Sequence, residues 1–212
     1  MNNPEDKLEN GNKLPTKYED PIDLFILTYT SKLNPIFKSF GFTANGITTI
    51  SFLFGLLACY LFYTKKYIFS AISYIISYFF DVMDGNYART YNMMSEFGAK
   101  YDVVTDQIVV FLLFSLGVFF TKTKPKFFYF KPLAIIGTIV YYTLIWYYLS
   151  CQDTYYNEHK ENKSTNNTLS HTYEGICINT NHLSIIKYFG TGSCNVIFVP
   201  FIIIMFIFVT KK

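Results

Sequence analysis

Residues 81–106 read DVMDGNYARTYNMMSEFGAKYDVVTD, an acidic stretch between two segments that are otherwise almost purely apolar. Asp81, Asp84, Gly85 and Ala88 stand at i, i+3, i+4 and i+7, one face of a helix, with Arg89 at its edge. Gly98, Asp102 and Asp106 stand at i, i+4 and i+8, one face of the next helix. Tyr67–Phe80 before the stretch and Gln107–Thr121 after it carry no charge and are closed off by Lys66 and Lys122. Each is too short to cross a bilayer, which takes about 20 mostly apolar residues, unless it extends into the charged stretch. The spacing therefore predicts two antiparallel membrane helices that bring four carboxylates together.

Their depth follows by counting. Asp81 lies 15 residues beyond Lys66 and Asp106 lies 16 residues before Lys122. At about 1.5 Å per residue both stand roughly 22 to 24 Å from the far interface, inside a hydrocarbon layer about 30 Å thick. Asp84 and Asp102 match in the same way, 18 and 20 residues from those lysines. An ionised Asp near the bilayer centre costs about 2.5 to 3.5 kcal/mol, so four bare ones would cost on the order of 10, comparable to the stability of a whole domain. Arg89 can offset one or two. The remainder asks for divalent cations in a water-accessible recess, and hard oxygen ligands in this number favour Mg2+ or Mn2+, with room for two ions. Paired metals that clamp phosphate oxygens are a known catalytic arrangement. Gly85 and Gly98, one turn from a carboxylate, either open space for a ligand to approach the backbone or let the helices pack closely.

Composition agrees with a membrane protein. Of 212 residues, 51% are hydrophobic and 20% aromatic, while 16% are charged, against about 25% for a soluble domain. Ser39–Thr64, Pro132–Gln152 and Tyr188–Thr210 are further apolar runs of spanning length. A net charge of +3 with scattered lysines excludes a nucleic-acid-binding surface and leaves membrane lipids as the expected partners. The predicted fold is all-α, a polytopic membrane bundle of five clear spans, with a sixth allowed by a short helix over 175–187. Residues 1–20 read as a disordered polar tail without the basic start and apolar core of a secretory signal, so the first span is expected to serve as the insertion signal. The membrane domain is expected to occupy 21–212. Within it, 21–40 repeats apolar residues at helical spacing (Ile22, Phe25, Ile26, Tyr29, Leu33, Ile36, Phe37, Phe40) with Lys32 and Lys38 among them. That helix either lies on the membrane surface or packs on the protein, and Pro35 is expected to bend or interrupt it.

Residues 151–187 read as a polar loop on the side of the N-terminus, taken to be cytosolic, which makes the sequons at Asn162 and Asn166 chance matches. The loop holds His159, His171 and His182, and their irregular spacing with Cys151 and Cys177 favours a solvated segment over a metal site. Cys59 is expected in the core, and Cys151, Cys177 and Cys194 as spare thiols. Trp146, Tyr147 and Tyr148 read as an interfacial aromatic anchor.

The motif residues fit D-x-x-D-G-x-x-A-R-x8-G-x-x-x-D-x-x-x-D without a departure, and in this the chain resembles the CDP-alcohol phosphotransferases, integral membrane enzymes of phospholipid synthesis. Upstream, Thr43–Thr48 is similar to the family's approach to its first span, except that Ala44 stands where Pro is usual. The resemblance implies that Asp81, Asp84, Asp102 and Asp106 hold the metals and that Asp106 also takes the proton from the attacking hydroxyl. It implies that Gly85, Ala88 and Gly98 shape the cytidine pocket with Arg89 near the diphosphate, and it extends nucleotide contacts to Asn45 and Thr48. It implies a homodimer too, and a usual core of six membrane helices, one more than the five clear spans here. The implied reaction is transfer of a phosphatidyl group from CDP-diacylglycerol to a small alcohol (inositol, glycerol 3-phosphate or serine) with release of CMP. CDP-choline or CDP-ethanolamine acting on diacylglycerol is the alternative, disfavoured by the short chain. The expected setting is an endoplasmic-reticulum-type or other cellular membrane, with the active site facing the cytosol. Outside the family, an aspartate-rich prenyltransferase should carry its two acidic motifs on well separated helices. A divalent-cation carrier would have no use for Gly85, Ala88 and Gly98.

Overall fold

The computed structural model describes residues 11–159 and 176–210, and among them the regular secondary structure is all helical, apart from an isolated bridge between Thr123 and Thr210. Helix α1 (Pro21–Ser39) starts at Asp20, whose carboxylate accepts from the Ile22 and Asp23 amides at 2.8 and 3.4 Å, with Pro21 in the first turn. It buries Ile26, Leu27, Thr30 and Asn34 and leaves Phe25, Tyr29, Ile36 and Phe40 exposed. One face packs on α3, the second of the two expected roles, and the other leaves an apolar stripe exposed. Pro35 does not interrupt the helix, which continues to Ser39.

The spanning helices follow the apolar runs. They are α2 (Ala44–Tyr63), α3 (Tyr67–Thr90), α4 (Glu96–Ser115, continued by a wider turn over Leu116–Phe120) and α5 (Phe130–His159). A short turn at Leu183–Ile186 (α6) and another at Thr191–Ser193 (α7) lead into α8 (Val199–Val209). Among the described residues, four helices are long and apolar enough to cross a membrane, and the pair Thr180–Ile197 and Val199–Val209, bent by 42°, makes a fifth candidate. Thr43 caps α2 by accepting from the Gly46 amide at 3.2 Å, and Ser95 caps α4 by accepting from Gly98 at 3.0 Å. In a bilayer, helices satisfy every backbone group internally, which leaves side chains to decide how they meet.

Serines fasten α2 to α3. Ser51 and Ser77 each donate to the other's carbonyl at 2.8 Å, Ser70 donates to Ala58 O at 2.7 Å and Ser73 to Phe54 O at 2.9 Å. Gly55 admits α4, since a Cβ there would stand 2.5 Å from Val109 Cγ2. At the far end Phe62 meets Tyr67 and Phe206 edge-on, with centroids 5.2 and 5.0 Å apart. There too the Lys124 amide donates to Val209 O at 2.7 Å, which fixes the end of α8, while α7 packs beside α1. Leu53, Phe69, Ile72, Phe111, Ile139 and Phe201 point outward, the lipid-facing belt of the bundle.

Several expectations are corrected. Residues 1–10 lie outside the described residues, but 11–20, expected in a disordered tail, are packed: Leu14, Pro15, Glu19 and Asp20 are buried. The fourth span does not end near Ser150 but stays helical to His159, so the expected loop at 151–187 begins later. Cys151 and Cys177 are joined in a disulfide rather than left as spare thiols, while Cys194 is unbonded. Tyr148 is no interfacial anchor: it is fully buried, and its hydroxyl accepts from the Asp20 amide at 3.1 Å. Of the loop histidines, His171 lies outside the described residues and His182 meets the Tyr147 hydroxyl through Nδ1 at 2.6 Å. Thr180–Phe189 takes the short helical form expected of it without making a sixth span.

Candidate active site

The end of α3 and the start of α4 come together as the motif spacing requires. Asp81, Asp102 and Asp106 each offer a carboxylate oxygen, and these oxygens lie within 4.8 Å of one another. Asp84, one turn beyond Asp81, stands outside that trio but lines the same cavity of about 340 Å³ and is itself buried. Asp84 Oδ2 and Asp102 Oδ1 are buried without a hydrogen-bond partner. Orphaned carboxylate oxygens at such depth are costly, and an oxygen-seeking cation is what would satisfy them. The residues present therefore fit a divalent metal.

Gly85 and Arg89 line the cavity with the acids. The Arg89 guanidinium lies over Gly85, where a Cβ would come within 3.3 Å of Nη1, and its Nε donates to Gly11 O at 2.7 Å. Gly98, Ala88, Asn45 and Thr48 are not part of the lining. Gly98 is instead where α4 touches α2, because a Cβ would meet Asn45 Oδ1 at 2.8 Å. Thr48 is buried and donates to Ala44 O at 3.2 Å. Ala88 packs against the apolar group of Ala44, Ile47, Met83 and Tyr87. These four brace the mouth of the hairpin around the first turn of α2.

The opposite wall escaped the sequence reading. It comes from the segment before α1, α1 itself, the late turns of α5, and α7: Lys13, Glu19, Asp23, Gln152, Asp153 and Thr191 line the cavity with Trp146 and Asn195. Asp23 accepts from the Tyr78 hydroxyl at 2.6 Å, from Thr191 Oγ1 at 2.8 Å and from the Gly192 amide at 3.1 Å. Burial pushes the Asp23 carboxyl up to about 6 in spite of these donors. Asp20 accepts from Ser193 N at 2.9 Å and Ser193 Oγ at 3.1 Å, which holds α7 to the start of α1. Lys13 pairs with Asp153. Glu19 is buried, with Gln152 Nε2 donating to it at 3.3 Å, and burial reinforced by the negative charge of Asp23 pushes its carboxyl up to about 8. Of this wall, only the Asp20-Pro21 helix start left a local signal in the sequence.

Such a chamber, floored by carboxylates from one helical hairpin of a bundle with several membrane-spanning helices, defines a polytopic protein whose acids could hold a metal ion. The family model for CDP-alcohol phosphatidyltransferase matches residues 42–180, and the chain belongs to that family. The family is generally dependent on divalent metal. A stretch of 96 residues is 31% identical to archaetidylinositol phosphate synthase of Pyrococcus horikoshii, covering 45% of this chain and 47% of that protein. The chain thus spans about half the length of this curated relative. No solved structure matches it.

Proposed function

We propose that the protein is a membrane-embedded enzyme of phospholipid synthesis that transfers a phosphatidyl group from CDP-diacylglycerol to a small alcohol and releases CMP. The observation that carries this reading is the half-buried carboxylate trio of Asp81, Asp102 and Asp106, with unpartnered oxygens on Asp102 and on neighbouring Asp84, in a cavity shared with Arg89 and Gly85. Membership of the family and similarity to a protein named as a lipid synthase support it.

Asp81, Asp84, Asp102 and Asp106 would hold the divalent cations, Mg2+ or Mn2+ and two in number. Bound there, the ions would offset the diphosphate charge and that of the departing CMP. Arg89 steers a diphosphate oxygen over Gly85, where a side chain would stand in the way. Asp106 accepts the proton of the acceptor hydroxyl as its oxygen attacks the β-phosphorus, the bond from that phosphorus to the CMP oxygen breaks, and CMP leaves. Gly98 and Asn45 hold α2 against α4 so that the nucleotide wall keeps its shape, with Thr48 and Ala88 behind them. Positioning and electrostatics account for most of the rate. The expected setting is a cellular membrane of the endoplasmic-reticulum type, with the cavity mouth facing the cytosol and two copies of the chain associating.

The test is CMP release by the purified chain with Mn2+ and labelled CDP-diacylglycerol plus an alcohol. Asp106→Asn should lower turnover by about 1,000-fold, the scale of losing a proton acceptor and a charged ligand together. CMP formed only from CDP-choline or CDP-ethanolamine with diacylglycerol would support the alternative transfer direction. Cation transport without CMP release from any CDP-compound would support a carrier.

A further inference from the structure

We propose that the acceptor taken by this cavity is an uncharged polyol, selected by a wall, facing the hairpin, whose charged side chains already have partners. The inference rests on the transferase reading above and narrows it. Among the described residues, the cavity is lined by seven carboxyl side chains and two cations, Lys13 and Arg89. Lys13 is paired with Asp153, and Arg89 is bonded to Gly11 O and lies over Gly85, on the side assigned to the donor diphosphate. An acceptor bearing a phosphomonoester would bring up to two more negative charges and find no uncommitted cation on the described wall.

An amino alcohol fares no better. Outside the hairpin, the lining acids are Glu19, Asp23 and Asp153. Asp23 already accepts from Tyr78, Thr191 and Gly192, and Asp153 holds Lys13. Glu19 is neutral at ordinary pH because burial keeps its proton on. The rest of that wall is uncharged and includes the amides of Gln152 and Asn195, the hydroxyl of Thr191 and the ring of Trp146. Amides and hydroxyls recognise alcohol groups by exchanging one neutral hydrogen bond for another, so a molecule made of hydroxyls fits where a charged one would have to shed its water without repayment. Of the candidate acceptors, inositol has that chemistry, and glycerol 3-phosphate and serine do not.

The experiment uses the full chain with Mn2+ and CDP-diacylglycerol, offered inositol, inositol 1-phosphate, glycerol 3-phosphate or serine, and follows both CMP and the lipid product. Inositol should exceed each of the others by about 100-fold in kcat/KM, the scale of placing like charges together in a recessed site. Asp153→Asn releases Lys13, and the ratio of glycerol 3-phosphate to inositol use should rise about tenfold, which a merely structural role would not produce. CMP release that prefers a phosphate-bearing or amine-bearing acceptor, or an Asp153→Asn variant that changes all acceptors in proportion, overturns the inference and leaves the transferase reading intact. No CMP with any acceptor overturns the transferase reading and the inference with it.

Discussion

Glu19→Gln should make the protein more stable in alkali and change little in acid. The carboxyl is buried, its usual value of 4.5 is raised to about 8 chiefly by burial, and Asp23 and Asp20 push in the same direction while Arg89 and Lys13 pull against it. Between those two pH values the folded chain binds a proton that the unfolded chain has lost, so stability is greatest below about 4.5 and falls as pH rises toward 8. At 1.36 kcal/mol per unit, the loss on reaching full ionisation is on the order of 4 to 5 kcal/mol. Glutamine keeps the shape and can still accept from Gln152, but has nothing to ionise. The variant should therefore melt about 10 °C above the parent at about pH 8.5, taking 2 to 4 °C per kcal/mol for a chain of this size, and within a degree or two of it at about pH 4.5. Thermal unfolding in one detergent, followed by the fluorescence of Trp146, reads both numbers. An equal shift at the two pH values, or a loss of stability at the higher one, would refute the account of Glu19 as a buried neutral acid.

Two other substitutions and a labelling experiment test separate parts of the structure. Gly98→Val places a branched side chain where Asn45 Oδ1 and Ser95 Oγ already stand 2.8 and 2.9 Å from the added Cβ, so α2 and α4 should part at the cavity mouth. Turnover should fall by about 100-fold, and the melting point by the few degrees that overpacking costs. Gly55→Val meets Val109 Cγ2 at 2.5 Å in the bundle interior and should cost about 1 to 3 kcal/mol while leaving KM near that of the parent. Cys151 and Cys177 lie at the cavity end, two residues from Asp153 in the case of Cys151. If that end faces the cytosol, thiol-reactive polyethylene glycol applied to acid-quenched, denatured cells should label both, because cytosolic glutathione keeps such pairs reduced. A pair that resists labelling until reductant is added would put the mouth in an oxidising compartment.

The parts of the molecule legible in the sequence are those whose physics is local. Lysines mark the far ends of the apolar runs, so α2 ends and α3 begins within a few residues of Lys65 and Lys66 and the α4 helix runs out just before Lys122, while the Asp81–Asp106 spacing carries the two helices on into the acidic stretch and sets the carboxylates on facing sides before any tertiary contact is known. The opposite wall is decided at a distance. Residues 11–20 look like a loose tail by composition, yet Asp20 is buried by Tyr148 and Ser193, 128 and 173 residues away. Gln152 and Asp153 made the end of α5 read as a loop, whereas in the fold their polarity answers Glu19 and Lys13. The same long-range docking brings Cys177 back to Cys151, which no spacing rule would have paired.

This division between a local and a distant wall has a chemical consequence. The hairpin carries the carboxylates and Arg89 on two helices joined by a short turn, so its geometry is fixed by helix periodicity and cannot drift without losing the cluster. The facing wall is built from four separate segments held by polar contacts such as Lys13 with Asp153 and Asp23 with Thr191. Replacing one of those contacts alters the charge that an acceptor meets while leaving every carboxylate of the hairpin in place. Activity and acceptor choice are therefore separable by mutation in this chain. Substitutions in Asp81–Asp106 should scale the rate for all acceptors together, and substitutions at Lys13, Gln152 or Asp153 should reorder them, a distinction visible in one matrix of kcat/KM values.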